Sequence, residues 1–312
     1  MEKKLISIVA GCYNEEENID ELYRQVCEAM LPYQDRYAYE ILFMDNASAD
    51  GSVKKIKSLI EKDKNVRLIV NARNFGHIRS AYYGYLQSRG DAIVNIAVDL
   101  QDPPILIRKF IDKWDEGFKV VLGVKTNSKD SGILFLMRKL FYFLMARLSE
   151  VEQVKNFTGF GLYDKAFIDV LRKLEIPYPY FRGLVAEMGF SRAEIPYVQP
   201  RREKGKTKNN FYTLYDLAML GFVNHSKLPL RLASFFGFGM SLVSFLSGVI
   251  YLVYKLLFWD RFQGGVAPLM IGFFFMGGVQ LFFLGVIGEY IGSIYTQVMK
   301  MPLVIEKERA NF

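Results

Sequence analysis

The sequence predicts an α/β domain with a mainly parallel sheet covered by helices, followed by interfacial helices and two membrane-spanning helices. Two observations carry this. The first two hundred residues alternate strand and helix signals, the pattern of parallel strands joined by helical crossovers. Near the other end, two uncharged apolar stretches of 23 and 27 residues run over Leu232–Tyr254 and Phe262–Gly288. A helix needs about 20 such residues to cross the hydrocarbon core, and a buried core helix would be shorter and carry a polar stripe.

The elements follow in order. ISIVAGCY is a buried-strand run, too short for a signal peptide despite the positive start Met1–Lys4. It leads into Asn14, which can cap a helix, and Glu17, which can close a capping box. Ile19, Leu22, Tyr23 and Val26 then recur at helical spacing. EILFMD is a second strand ending at Asp45. A turn through DNASADG and a helix carrying Val53, Ile56 and Leu59 come next. VRLIV and AIVNIAV are the third and fourth strands, and KVVLGVK is the fifth. Residues 132–148 are apolar apart from Arg138, Lys139 and Arg147, which fits an interfacial helix with snorkelling bases. A juxtamembrane amphipathic helix is expected at 211–227. The expected layout is a front α/β domain over 1–210, that helix, a two-helix hairpin over 228–295 and a tail over 296–312.

Composition bounds the function. Net charge is +7, and beside two apolar spans a basic excess is better matched to anionic headgroups than to nucleic acid. Lys227 and Arg231 precede the spans and Lys300, Lys307 and Arg309 follow them, with only Asp260 and Arg261 between. The positive-inside rule therefore puts both termini and the front domain in the cytoplasm, on a multi-pass membrane protein with a hairpin between. Cys12 and Cys27 alone build neither a disulfide framework nor a cysteine metal site. Two histidines, His77 and His225, give no paired-His metal pattern and no Ser-His-Asp set. His77 is read as a loop organiser. Small-xxx-small spacings at Gly237/Ser241, Ser244/Gly248 and Gly288/Gly292 would permit a homo-oligomer.

In open α/β sheets ligands bind beyond the carboxyl ends of the strands. Asn14/Glu15, Asp45 and Asp99/Gln101/Asp102 all fall at such ends. YNEEENI, the Asp45 turn, ARNFGH, VDLQDPP, YFRGL and RREKGKTK then occur in an order that resembles the polyprenyl-phosphate glycosyltransferases. These belong to glycosyltransferase family 2 and include dolichyl-phosphate mannose synthases and bacterial undecaprenyl-phosphate sugar transferases. The resemblance covers essentially the whole chain. It implies a GT-A (Rossmann-like) fold, a nucleotide-sugar donor (a UDP-sugar), a divalent metal and inversion at the sugar carbon.

Within that frame Asp99 and Gln101, two apart at a strand end, are expected to point the same way. A carboxylate and an amide oxygen suit Mg²⁺ or Mn²⁺, which completes its shell with phosphate and water. Asp102, before Pro103, is assigned to capping the next helix. The resemblance places Asp45 on the base or ribose of the donor, with Tyr13 and Glu15 nearby, and Lys125 on the diphosphate. Arg202, Gly205, Thr207 and Lys208 match the family's R-x-x-G-x-[ST]-K pattern, so Arg202 and Lys208, with Arg138, are expected at the lipid phosphate. That phosphate, with a second pKa of about 6, is already a dianionic nucleophile at neutral pH and needs no general base. Asp99 and Arg202 are the expected catalytic pair.

The chain departs from the family at Asn46, where an aspartate is usual, at Ala97, where a second metal carboxylate is usual, and at Gly11, where proline is usual. NFTGFGLY also lacks an acidic residue common in relatives. Other readings stay open: a non-catalytic scaffold or flippase partner that binds lipid phosphate, or a processive polysaccharide synthase. The latter class carries a Q-x-x-R-W motif and more spans, and this sequence has neither.

Overall fold

The computed structural model describes residues 3–126, 154, 156–200, 228–258 and 266–312. The expected helices over 132–148 and 211–227, and the stretch holding Arg202 and Lys208, lie outside the described residues.

The sheet has eight strands in the order β7-β5-β6-β4-β1-β2-β3-β8. Its centre is the predicted parallel set: β1 (Lys4–Cys12), β2 (Tyr37–Asp45), β3 (Val66–Asn71) and β4 (Ala92–Ala97). The crossovers are α1 (Ile19–Met30), α2 (Ser52–Lys62) and α3 (His77–Gln87). After β4 come α4 (Leu106–Asp115) and the predicted β5 (Val120–Lys125).

Three strands were not read from the sequence, and two of them, β6 and β8, turn the sheet mixed. β6 (Phe157–Asp164) inserts antiparallel between β4 and β5, and is followed by α5 (Lys165–Lys173) and α6 (Phe181–Glu187). β7 (Arg192–Tyr197) lies parallel to β5 at one edge. At the opposite edge β8 (Glu306–Ala310) pairs antiparallel with β3.

Strands buried on both faces read as continuous apolar runs rather than alternating ones. Successive residues of β1 and β2 accordingly serve opposite cores. Ile8, Ala10 and Phe43 face α1, α2 and α4, whereas Val9, Leu42 and Met44 face α3, α5 and α6. Ile8, Val9 and Phe43 are fully buried, each worth about 1.5–3 kcal/mol over exposure. Gly84 of α3 sits so close to the sheet that an added Cβ would meet Met44 at 2.6 Å and Val9 at 2.7 Å. That approach sets the height of α3, and thus of its first turn, above the strand ends.

The predicted cap of α1 is not formed. Asn18 precedes the helix without a side-chain cap, and Asn14, in left-handed backbone (φ 53°), instead accepts from Ala49 N at 2.7 Å. Glu16 accepts from Gly51 N at 2.9 Å and Glu15 from Asn18 Nδ2 at 2.7 Å. The polar run after β1 is spent on tying the β1–α1 loop to the turn after β2.

The two apolar stretches are helices, α7 (Leu228–Leu257) and α8 (Val266–Val298). Both are long and apolar enough to cross a membrane, over Ala233–Leu257 and Gly272–Val298. Large apolar side chains face outward, Phe238 76% and Phe273 71% exposed. At the small-residue positions Gly237, Gly248, Gly288 and Gly292 nothing lies within 4 Å of an added Cβ.

Past α8 the chain returns to the domain. Arg79 of α3 donates to the carbonyls of Pro302 and Leu303, Ala72 N to Ile305 O, and Tyr83 to Glu306. Asn311 Nδ2 donates to Val66 O, and Phe312 lies under the Arg67, Arg89 and Arg309 guanidiniums.

Candidate active site

The carboxyl ends of β1, β2, β4 and β5 open into one cavity of about 600 Å³. Tyr13, Glu15, Asp99, Gln101 and Lys125, all expected at the site, line it. Asp45 lies beneath the wall, fully buried. Arg138, Arg202 and Lys208 fall outside the described residues.

Asp45 Oδ1 accepts from Ser48 N at 3.0 Å, while Oδ2 is buried with no hydrogen-bond partner. Burial raises the pKa of this carboxyl, partly offset by the Ser48 hydrogen bond. Cys12, also on the wall, has its thiol pushed up to about 12 by burial and the neighbouring Asp45 carboxylate. It is therefore a thiol and not a nucleophilic thiolate.

Asp99 and Gln101 do share the cavity, but by a different route than strand alternation. β4 ends at Ala97, and Leu100 between the two residues is left-handed (φ 59°), with Gln101 N donating to Asp99 Oδ1 at 3.2 Å. A non-glycine residue in this region is uncommon and is held by its surroundings. The turn, not the pleat, brings the two together. A half-exposed carboxylate beside a half-exposed amide fits a divalent ion that takes few protein ligands. Among the described residues no cluster of three or more His, Cys, Asp or Glu forms a self-sufficient metal cage.

Asp102 is not a helix cap. The residue preceding α4 is Ile105, with no side-chain cap, because Pro103 to Ile105 form a turn of their own. Asp102 points inward, 8% exposed, and accepts from Tyr197 of β7 at 2.9 Å. Burial pushes its carboxyl up to about 6, with the Tyr197 hydrogen bond and Lys125 opposing. Lys125 is the positive end of the same cluster. Burial lowers its ammonium pKa, Asp102 pulls it back up, and Arg182 lowers it again.

Arg182, on α6, lines the cavity and was assigned no role from sequence, although YFRGL had marked its position. With Lys125 it sets two cations opposite Asp99 and Asp102. His77, read as a loop organiser, also lines the cavity. Burial lowers its pKa, with Arg182 adding to the effect, so the imidazole is neutral at pH 7. Two carboxylates, one amide and two cations around an open cavity can hold a cation-bridged diphosphate with an anion-stabilising rim.

Comparison with known proteins agrees. The glycosyl transferase family 2 model matches residues 7–171 and the GtrB C-terminal hairpin model residues 229–294. The chain is 37% identical over 302 residues to the uncharacterized glycosyltransferase YkcC of Bacillus subtilis, covering 96% of this chain and 92% of that one. It is 32% identical over 306 residues to the SfII prophage-derived bactoprenol glucosyl transferase of Shigella flexneri, covering 97% of each. It is 31% identical over 301 residues to the uncharacterized glycosyltransferase sll0501 of Synechocystis, covering 96% of this chain and 94% of that one. With a family model spanning more than half of it and relatives alike over nearly their whole length, the chain belongs to glycosyl transferase family 2.

Proposed function

We propose that the protein transfers a single sugar, with inversion, from a UDP-sugar to undecaprenyl phosphate at the cytoplasmic face of a bacterial inner membrane. The observation that carries this is the joining of two features in one chain. A cavity with paired acids and paired cations sits at the strand ends, and an apolar hairpin returns to the edge of the same sheet. The bactoprenol glucosyl transferases alike over 97% of the chain support the lipid phosphate acceptor.

In this reading Tyr13 and Glu15 take the nucleoside, while Asp45, beneath the wall, holds the turn whose Ser48 hydroxyl accepts from Asn14 N. Lys125 and Arg182 hold the diphosphate. Asp99 and Gln101 would hold Mg²⁺ or Mn²⁺, which supplies charge neutralisation at the leaving diphosphate when bound. Arg202, Lys208 and Arg138 receive the lipid phosphate. One of its oxygens attacks the anomeric carbon as the bond to the diphosphate breaks. Because the phosphate is already dianionic, the residues position it and stabilise charge; none takes a proton.

The pairing of β8 with β3 supports the topology. After α8 the chain returns to the edge of the sheet as β8, so in this reading domain and tail share one side of the bilayer. The layout is then a catalytic domain to 210, a juxtamembrane helix at 211–227, a membrane hairpin at 228–295 and a tail that is part of the sheet.

The test is purified full-length protein in vesicles with undecaprenyl phosphate, Mg²⁺ or Mn²⁺ and a panel of UDP-sugars. A lipid product one sugar heavier supports the proposal. Nucleotide binding with no transfer from any donor would favour the scaffold reading, and a ladder of products the processive one.

A further inference from the structure

Asn46 occupies the position where an aspartate is usual in this family, and its surroundings show what the amide does. It follows the last residue of β2, is 5% exposed, and its backbone N–H donates to Cys12 O at 2.9 Å. Its side-chain Oδ1 accepts from Asn71 Nδ2 at 3.1 Å and from Phe75 N at 2.9 Å. Its Nδ2 donates to Asn74 Oδ1 at 2.8 Å, and that same oxygen accepts from Gly76 N at 2.8 Å. Asn71 Nδ2 also donates to Ser80 at 3.0 Å, which carries the network into α3.

The orientation of both amides is forced. Backbone N–H groups only donate, so Phe75 fixes Asn46 Oδ1 and Gly76 fixes Asn74 Oδ1. The contact left between the two side chains then needs a donor on Asn46. A carboxylate at 46 could still accept from Asn71 and Phe75, but its other oxygen would face the Asn74 oxygen. Turning the Asn74 amide to relieve that leaves the Gly76 N–H against an NH₂ group. Only a group that accepts on one side and donates on the other satisfies all three partners and leaves Gly76 N paired with Asn74.

These bonds hold the segment between β3 and α3, which has no regular structure of its own and passes through Gly76 in left-handed backbone (φ 85°). Asn74, Gly76 and His77 from this segment form one wall of the cavity. We propose that Asn46 is a positioning residue for the donor half of the site, fixing the 72–77 wall against which the nucleotide sugar packs. This rests on the donor reading above.

The test compares wild type, Asn46→Asp and Asn46→Ala by hydrogen–deuterium exchange, UDP titration and steady-state kinetics. Amides in peptides covering 72–77 are expected to exchange about tenfold faster in both variants, as for one buried hydrogen bond lost. The dissociation constant for UDP and the donor KM are expected to rise about tenfold, with kcat at saturating donor within about threefold and the lipid KM unchanged. Unaltered exchange in folded variants overturns the proposal, as does a fall in kcat with donor KM unmoved. Wild-type protein that binds no UDP overturns the donor reading instead, and exchange alone then decides whether Asn46 holds the segment.

Discussion

Replacing Asp99 with asparagine separates charge from shape at the centre of the site. The side chain is half-exposed, and its hydrogen bond in the structure, from Gln101 N at 3.2 Å, can be kept by an amide oxygen. Stability should therefore change by no more than about 0.5 kcal/mol, the usual range for a surface substitution. Function loses more. The substitution removes the anionic ligand proposed for the metal, and losing one such electrostatic contact to developing charge typically costs about 3–4 kcal/mol, or roughly 10²–10³ in kcat. Ala97 cannot compensate with a carboxylate of its own. The assay pairs turnover at saturating donor and lipid with a Mn²⁺ titration in the presence of UDP and a thermal melt. A folded variant with wild-type kcat and an unchanged Mn²⁺ requirement would refute the assignment of Asp99 to the metal.

Three further outcomes are expected. Arg182→Ala should lower kcat/KM by roughly ten- to a hundredfold and weaken UDP binding, since a charge-assisted contact is worth about 1.5–3 kcal/mol; unchanged UDP affinity would remove Arg182 from the diphosphate. Arg202→Ala should raise the lipid KM about a hundredfold with UDP affinity intact, and the opposite split in paired kinetics and calorimetry would move Arg202 to the donor side. Asp164 caps α5 through Ala166 N at 2.9 Å and accepts from Trp114 at 2.7 Å and Lys119 at 3.0 Å. Burial alone would raise its pKa, but these bonds outweigh burial and hold it below the ordinary carboxylate range. Its contribution is thus present above the unfolded pKa of about 3.9 and lost as pH falls through the folded value. Asp164→Ala should cost about 2–3 kcal/mol in denaturant melts at pH 7, with the difference from wild type shrinking below pH 4.

The parallel centre of the sheet was legible because β1 to β4 are apolar runs bounded by polar turns, and burial on both faces leaves them no other composition. The outer strands lacked that signal. β6 carries Gly159 and Gly161, which weaken any strand pattern, and β8 is EKERA, whose charges suit an edge that faces water. Site residues at strand ends were found because position alone marks them. Roles that depend on distant partners were not. Asp102 reads locally as the start of a helix, and only Tyr197, ninety-five residues later, shows that it points inward. Asn14 likewise reads as a cap until the β2 turn arrives to take its side chain. Arg182 had its motif in view, but placing it beside Lys125 in the cavity required the path of α6 across the sheet.

The edge strand β8 also makes the order of synthesis matter. Residues 306–310 emerge after both apolar helices, so the outer edge of β3 has no partner until the rest of the chain has been made. An unpaired edge is a template for mispairing. Under the proposed topology, a helix that failed to cross the bilayer would deliver Glu306–Ala310 to the far side and leave the sheet open. Under that topology, closing this edge of the sheet requires that the hairpin has gone in and come back.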